Sequence, residues 1–269
     1  MSKREQPSRL GPVFDQCRSE NRAALIGYLP AGYPTVDASI DMFKAMVDAG
    51  CDAIEVGLAY SDPVMDGPTV AAAAETALAN GVRVRDIFRV VEQIASVGGN
   101  AVVMTYWNPI LQYGVDAFAR DLAGAGGLGM ITPNLIPDEA SEWMTASEEH
   151  KLDRIFLVAP SSTEERLAMT LEASSGFVYA VSTMGVTGAR DSVSTMAPEL
   201  CQRIRTHSDI PVGVGVGVRS GAQAAEIASY ADAVIVGSAL VTAASESTDT
   251  LVALTAELAE GVRSTTVAS

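Results

Sequence analysis

The sequence predicts an α/β fold, a (β/α)8 TIM barrel that begins with an extra N-terminal helix. Short apolar runs alternate with helical patterns along the whole chain. The runs number eight and are rich in β-branched and aliphatic residues, which is typical of parallel strands buried on both faces. Their connections are short, and a length of 269 residues suits one closed barrel domain over residues 1–269.

The predicted elements follow one another in a regular order. The eight candidate strands are Ala23–Leu29, Asp52–Gly57, Ala101–Tyr106, Gly129–Thr132, Arg154–Val158, Phe177–Val181, Pro211–Gly215 and Ala233–Val236. A helix over Arg9–Arg18 precedes them and is expected to plug the barrel floor. Later helices begin after Thr35 and Thr163, and Pro68 marks the first turn of another. An open, doubly wound sheet is the competing fold, because periodicity alone does not show closure.

Composition narrows the class of ligand and the location. Hydrophobic residues make up 48% of the chain and the formal net charge is −15. This charge repels a phosphate polymer, so a nucleic-acid partner is not expected. A small phosphate ligand would have to be bound locally, by backbone N–H groups and helix ends. The sequence has no apolar leader and no run as long as a membrane span, so we expect a cytoplasmic protein that does not enter the membrane.

Cysteines and histidines are few. Cys17, Cys51 and Cys201 are widely spaced and form no Cys-x-x-Cys pair, which predicts reduced, buried thiols. His150 and His207 lie in polar segments typical of the surface. This placement argues against a metal site and against a Ser-His-Asp triad. Proton chemistry in this chain must therefore use carboxylates or tyrosine.

A glutamate inside an apolar strand is the strongest indication of catalysis. An ionised carboxylate at Glu55 would cost several kcal/mol in a dry strand, or its pKa would rise until it is neutral. If Ile54 and Val56 face the helices, strand alternation turns Glu55 into the barrel. Barrel active sites lie at the carboxyl ends of the strands. The alternative is a structural glutamate bonded to a neighbouring hydroxyl or amide.

A second acid, Asp66, follows on the loop beyond this strand. Two acids in different environments suggest different roles in proton transfer. An aspartate before Gly-Pro is equally typical of a turn or a helix cap, and Asp62 before Pro63 has the same ambiguity. The residues alone leave these alternatives open.

The later strand ends are rich in small residues. Glycines occur in Gly213–Gly217, and Gly237–Ser238 joins the last strand to a helix. Such segments let backbone amides approach an anion, which predicts a phosphate cradle. The alternative is glycines that only permit tight packing. Residues 182–192 form a long polar connection that predicts a mobile lid. Tyr28 and Tyr179 lie near strand ends, where the residues alone favour a core position over a pocket.

Four segments, in this order and spacing, resemble the α subunits of tryptophan synthases, most closely the actinobacterial forms. They are Ile54–Gly57 with Tyr60–Thr69, Met104–Pro109, Met184–Gly188 and Val236–Ala239. The resemblance covers nearly the whole chain. It implies a barrel that cleaves indole-3-glycerol phosphate to indole and glyceraldehyde 3-phosphate. It also implies no cofactor in this chain, and an αββα complex with a β subunit that holds pyridoxal phosphate and receives the indole.

The resemblance also implies roles for single residues. Glu55 matches the family's acid/base glutamate, Asp66 its indole-binding aspartate, and Tyr179 an active-site tyrosine. Tyr28 takes the place of an aromatic residue, often Phe, in the indole pocket. The other expected substrate-binding residues are Met104, Thr187, Gly188, Gly217, Gly237 and Ser238, and those expected at the β-subunit interface are Asp62, Pro63 and Asn108.

The implied reaction is a retro-aldol cleavage, in which indole leaves only after its C3 carbon is protonated. We expect Glu55, with a pKa raised towards neutrality, to donate that proton, to remove the proton of the 3′-hydroxyl, or to do both. Asp66 is expected to stay ionised on a wetter loop and to accept the indole N–H.

Two departures from the family pattern qualify these expectations. Leu58-Ala59 stands where the family usually has Val-Pro, which frees the backbone beside the partner-facing loop and puts coupling to the β subunit in question. Asn134 stands where Asp is common, which removes a charge and is expected to weaken loop positioning. Three rival functions remain: a stand-alone lyase, a catalytically idle activator of a β subunit, and another phosphate-binding barrel such as an isomerase.

Overall fold

The strands form one parallel sheet in the computed structural model, which describes residues 7–181, 196–215 and 217–265. Their order in the sheet is β5-β4-β3-β2-β1-β9-β8-β7-β6. In chain order they are β1 (Ala24–Pro30), β2 (Ala53–Gly57), β3 (Ala101–Met104), β4 (Gly129–Ile131), β5 (Asp153–Ile155), β6 (Leu157–Val158), β7 (Val178–Val181), β8 (Val212–Gly215) and β9 (Ala233–Val236).

The sheet closes through residues 153–158. β5 pairs with β4 and β6 pairs with β7, and only Phe156 separates the two strands. The backbone N–H of Tyr179 donates to the carbonyl of Phe156 at 3.0 Å, so hydrogen bonding continues across the break. The prediction of one continuous strand over Arg154–Val158 is wrong. The segment consists of two short strands, because its hydrogen-bonding partner changes from β4 to β7 at Phe156. The fold is the predicted (β/α)8 TIM barrel, and the open sheet is excluded.

Helices surround the barrel in the described part of the chain. They are α1 (Gly11–Ser19), α2 (Val36–Asp48), α3 (Pro68–Ala79), α4 (Val84–Ser96), α5 (Trp107–Tyr113), α6 (Val115–Gly124), α7 (Ser141–His150), α8 (Glu164–Ala173), α9 (Met196–Arg205), α10 (Gly221–Ala228), α11 (Ser238–Glu246) and α12 (Thr248–Arg263), with a 3-10 turn at Pro137–Glu139. The predicted caps are confirmed, since Thr35 accepts from the N–H of Ala38 and Thr163 from that of Arg166. Among the described helices, each is too short or too polar to span a bilayer.

Strand alternation divides the buried side chains into two sets. Ile54 and Val56 belong to the large core between the strands and the helices. Ala53 and Ile26 belong to a second cluster that fills the barrel interior. Each fully buried aliphatic side chain contributes about 1.5–3 kcal/mol to stability. The burial of both sets therefore fixes which strand residues face the helices and which face the barrel interior. Glu55 shares the parity of Ala53 and therefore faces the interior, as predicted.

The floor of the barrel is closed by α1. Leu10, Phe14 and Cys17 lie in the same cluster as the interior strand residues, which confirms the predicted plug. The buried carboxylate of Asp153, at the start of β5, accepts from the N–H of Leu10 at 2.8 Å and from the hydroxyl of Ser8 at 2.9 Å. The opposite, carboxyl end of the strands is therefore the end available to a ligand.

The cysteines lie where the sequence placed them. Cys17, Cys51 and Cys201 are free thiols and all three are buried. Their part in the molecule is packing, and none is exposed for redox chemistry.

Candidate active site

Glu55 lies in the middle of β2, whose five residues are all buried. It pairs with Tyr28 on one side and Val102 on the other, and only 1% of it is exposed. Its Oε2 atom makes no hydrogen bond to the described residues. Burial, and next the nearby charge of Asp66, raise the pKa of Glu55 to about 8. The carboxyl group therefore holds its proton at neutral pH. A structural glutamate would have both oxygens satisfied, so the geometry favours a chemical role.

Asp66 lies at the end of the loop between β2 and α3. The N-cap of α3 is Gly67, so the Asp66 carboxylate does not cap that helix. Its Oδ1 atom instead accepts a hydrogen bond of 2.8 Å from the hydroxyl of Tyr106. Asp66 is half-buried and thus wetter than Glu55, as expected. Burial raises the pKa of Asp66, while the Tyr106 hydrogen bond acts in the opposite direction.

Two tyrosines fill the interior beside Glu55, and each occupies the space left by a glycine. A Cβ atom on Gly57 would lie 2.5 Å from the hydroxyl of Tyr28, and one on Gly215 would lie 2.5 Å from the hydroxyl of Tyr179. Burial raises the pKa of both tyrosines well above the ordinary value. The charge of Asp66, and then that of Glu55, add to the effect on Tyr28, and the charge of Glu55 adds to it on Tyr179. Both hydroxyls therefore keep their protons.

Two glycines of β8, Gly213 and Gly215, have a packing role. Gly215 leaves room for Tyr179, and a Cβ on Gly213 would meet the side chains of Ile235 and Phe177 at 2.9–3.0 Å. Both positions face the interior side chains of the barrel. Tight packing therefore accounts for these two glycines, and the phosphate cradle stays a prediction.

The remaining cradle residues lie where the last strands end. Gly217 follows β8 with a φ of +72°, a left-handed conformation that favours glycine. Gly237 follows β9 as the N-cap of α11, and Ser238 is the first residue of that helix. Glycine has no side chain to cap the first-turn amides, so these amides are available to an anion. Thr187, Gly188 and the whole predicted lid at 182–192 lie outside the described residues.

Two further residues complete the wall of the site. Met104, at the end of β3, is half-buried against the interior cluster, in keeping with its expected place. Tyr106 was predicted only as the last residue of a strand, but β3 ends at Met104 and Tyr106 is the N-cap of α5. Its contact with Asp66 was missed. The signal was a tyrosine just past a strand end, at the face where barrels bind ligands.

The residues expected at the β-subunit interface lie at the carboxyl ends of the strands, on the face of the barrel that carries the candidate site. Asp62 and Asn108 are exposed and Pro63 is half-exposed. Val64 is 69% exposed and Leu111 48%, so this face also carries apolar surface. Large exposed apolar side chains are typical of protein interfaces.

The two departures from the family pattern have definite positions. Leu58 and Ala59 are buried, and the N–H of Leu58 donates to the carbonyl of Met104 at 3.0 Å. This hydrogen bond limits the extra backbone freedom that results from the absence of the family's proline. The Oδ1 atom of Asn134 accepts from the N–H of Trp107 at 2.9 Å, so Asn134 fixes the start of α5. The amide thus supplies an acceptor, as a carboxylate would.

One group of side chains elsewhere has the spacing of metal ligands. Asp116, Glu149 and His150 offer ligand atoms within 4.8 Å of one another, on α6 and α7. Both acids are exposed, and His150 lies 2.8 Å from Asp116. His150 is therefore paired and only 18% exposed, not a solvated surface residue as predicted. A hydrogen bond between His150 and Asp116 at the surface accounts for the closeness of these two side chains.

Comparison with known proteins identifies the family. The family described as "Tryptophan synthase alpha chain" matches residues 14–268. The chain belongs to the tryptophan synthase alpha chain family. An alpha chain from Nocardia farcinica is 72% identical over 264 residues, 98% of this chain and 99% of the relative. One from Mycobacterium tuberculosis is 72% identical over 258 residues, 96% of each chain.

Solved tryptophan synthase structures have the same architecture. A structure of Mycobacterium tuberculosis tryptophan synthase matches with a TM-score of 0.93 and 71% identity, covering 95% of this chain and 98% of that one. The tryptophan synthase subunit alpha of Legionella pneumophila matches with a TM-score of 0.85 at 28% identity, covering 96% of this chain and 99% of that one. The resemblance read from the four motifs is therefore confirmed, and the roles given to single residues stay predictions.

Proposed function

We propose that this alpha chain cleaves indole-3-glycerol phosphate to indole and glyceraldehyde 3-phosphate, with Glu55 as the group that transfers protons. It acts as a lyase of tryptophan biosynthesis, in line with its family. The single observation that carries the residue assignment is the burial of the Glu55 carboxyl group on the interior face of β2, which raises its pKa to about 8. Such a group is a proton donor at neutral pH.

Glu55 supplies the proton that makes indole a leaving group. Its carboxylic acid protonates C3 of the ring, which turns the ring into an electron sink. The bond between C3 and the glycerol chain then breaks, and its electron pair restores the aromatic ring. The 3′-hydroxyl loses its proton as the aldehyde forms, and the carboxylate of Glu55 accepts it. The residue returns to its starting state, so one buried group serves both steps.

Asp66 stabilises the positive charge that the ring acquires. Protonation at C3 makes the indole N–H more acidic, and a carboxylate facing that N–H lowers the energy of the transition state. The hydrogen bond from Tyr106 supports the ionised form of Asp66 against its partial burial. Tyr28, Tyr179 and Met104 form the walls around the ring.

The phosphate group binds at the ends of β8 and β9. Gly217, Gly237 and Ser238 place backbone amides, a helix N-terminus and a hydroxyl at neighbouring strand ends. A net charge of −15 repels phosphate at long range, so these local donors must supply the attraction. Thr187 and Gly188 are further contacts in this proposal, on the basis of the resemblance alone.

The partner is a β subunit, joined in an αββα complex that receives the indole. The face carrying Asp62, Pro63 and Asn108 is the proposed docking surface. Pyridoxal phosphate belongs to that β subunit, and the proposed reaction draws only on proton donors and acceptors of this chain. We take residues 1–269 as one barrel domain in the cytoplasm. The match of one family to residues 14–268 supports a single domain.

One assay separates this proposal from its rivals: indole formation from indole-3-glycerol phosphate, with and without an added β subunit. Turnover by the chain alone that rises on adding the β subunit is expected. Turnover that the β subunit leaves unchanged would favour a stand-alone lyase. No indole from the chain, together with activation of the β reaction, would favour an idle activator.

A further inference from the structure

The hydroxyl of Tyr106 is held from two sides beside Asp66. It donates to the Oδ1 atom of Asp66 at 2.8 Å and accepts from the N–H of Met65 at 3.1 Å. Tyr106 is only 4% exposed, so its side chain is largely shielded from water. The two contacts join the end of β3 to the loop after β2, across 40 residues of sequence. The hydroxyl therefore fixes both the backbone and the carboxylate of this loop.

Neighbouring groups keep Tyr106 itself in place. Asn134, from the loop after β4, accepts from the N–H of Trp107 at 2.9 Å. The ring of Tyr60 packs on the ring of Tyr106 with centroids 5.3 Å apart, and Asn108 donates to the Tyr60 hydroxyl at 3.3 Å. Three loops at the open end of the barrel thus meet at Tyr106 and the adjacent Trp107. A side chain held in this way has little freedom to lose when the substrate binds.

We propose that Tyr106 is a positioning residue for the cleavage reaction, which holds the carboxylate of Asp66 in the orientation that receives the indole N–H. The inference rests on the proposed function. A ring alone would satisfy the packing against Tyr60. The hydroxyl is needed for its hydrogen bonds to residues 64–66, and the bond to Asp66 reaches a group that acts on the substrate.

The electrostatics of the loop make the role measurable. Burial, reinforced by Asp66, raises the pKa of Tyr106 to about 12, so its hydroxyl stays a donor across the working range of pH. Among the described residues, the ionisable groups that interact with Asp66 are Tyr106, Glu55 and Tyr28. The Tyr106 hydrogen bond favours the ionised form of Asp66 against burial. Removing that bond should raise the pKa of Asp66.

The test is the substitution Tyr106→Phe in the full chain, assayed for indole formation with and without the β subunit. It keeps the ring and removes only the hydroxyl. The matched control is Tyr113→Phe, which removes a comparable hydrogen bond to Asp121, 2.6 Å long, on the outer helices. We expect Tyr106→Phe to lower kcat roughly tenfold, the scale of one hydrogen bond to a charged group, with a smaller change in KM. Tyr113→Phe should match the wild type.

Two further readouts separate positioning from simple packing. The acidic limb of the kcat profile should move to higher pH in Tyr106→Phe, because Asp66 then needs a higher pH to ionise. In an Asp66→Asn background the same substitution should have a much smaller effect, since the two residues act as one unit.

Two results would overturn the inference. One is a Tyr106→Phe variant with the kcat and acidic limb of the wild type. The other is an equal loss of kcat with Asp66 and with Asn at that position, which would indicate a structural role. Either result leaves the proposed function standing, provided that the wild-type chain releases indole. A wild-type chain that releases none would refute the proposed function itself, and the inference with it.

Discussion

Replacing Glu55 with glutamine should stabilise the protein relative to the wild type, by an amount that grows as the pH rises. The same substitution should remove most of the activity. In the folded chain the pKa of Glu55 is about 8, against an ordinary value of 4.5. Unfolding below pH 4.5 leaves the proton in place. Above that pH the unfolded chain releases its proton and the folded chain does not. The free energy of unfolding of the wild type therefore falls progressively as the pH rises from 4.5 to 8, and this loss levels off above pH 8. At about 1.4 kcal/mol per unit, the loss is roughly 3 kcal/mol at pH 7 and roughly 4 at pH 8.

Glutamine has nearly the same shape and no charge at any pH, so Glu55→Gln escapes this loss. The free energy of unfolding of the variant, relative to the wild type, should rise by roughly 3 kcal/mol between pH 5 and pH 8. Any difference in packing or hydrogen bonding does not depend on pH and cancels in this comparison. Turnover should fall by about 10²–10⁴-fold, because no acid remains at C3.

Urea unfolding at pH 5 and pH 8 measures the stability change, and indole release measures the activity. Glu92→Gln is the control, because Glu92 lies exposed on α4 and its substitution should change neither. The same stability of Glu55→Gln relative to the wild type at both pH values would show that the pKa of Glu55 is not raised in the folded chain. Wild-type turnover in the variant would refute the catalytic assignment separately.

Two other substitutions test the walls and the phosphate end of the site. Gly215→Ala places a methyl group 2.5 Å from the Tyr179 hydroxyl, and it should lower stability by about 1–3 kcal/mol and reduce kcat/KM. Gly124→Ala, on α6 with open space around its Cβ position, should do neither; equal thermal unfolding of the two variants would contradict the packing argument. Ser238→Ala should mainly raise KM for the phosphate substrate, whereas Ser245→Ala, on the exposed part of α11, should not. A collapse of kcat at unchanged KM would show that Ser238 has a different role.

The parts of the site that depend on local pattern could be predicted from the sequence. The direction of Glu55 follows from alternation, because apolar side chains on both sides of it must reach the helix layer. The helix starts at Thr35 and Thr163 were also predicted correctly, because a helix cap depends only on residues within one turn. The position of α1 at the floor followed from its place before the first strand.

Contacts between distant residues could not be predicted in this way. Tyr106 meets Asp66 across 40 residues, and nothing in the segment around Tyr106 names its partner. For Gly215 the sequence left a phosphate cradle and tight packing open, because it did not reveal that Tyr179 fills the space beside it. The break at Phe156 also depends on neighbours, because the strand changes hydrogen-bonding partner there. The individual catalytic roles came from the family resemblance, since periodicity cannot distinguish a buried acid that reacts from one that does not.

The most direct test of the central claim is an infrared titration of the Glu55 carboxyl group. Difference spectra between the wild type and Glu55→Gln isolate the band of one protonated carboxylic acid, recorded from pH 5 to pH 9. This band should persist through neutral pH and disappear with a midpoint near 8, together with a fall in kcat. A carboxylate already ionised at pH 6, in an enzyme that still releases indole, would contradict it.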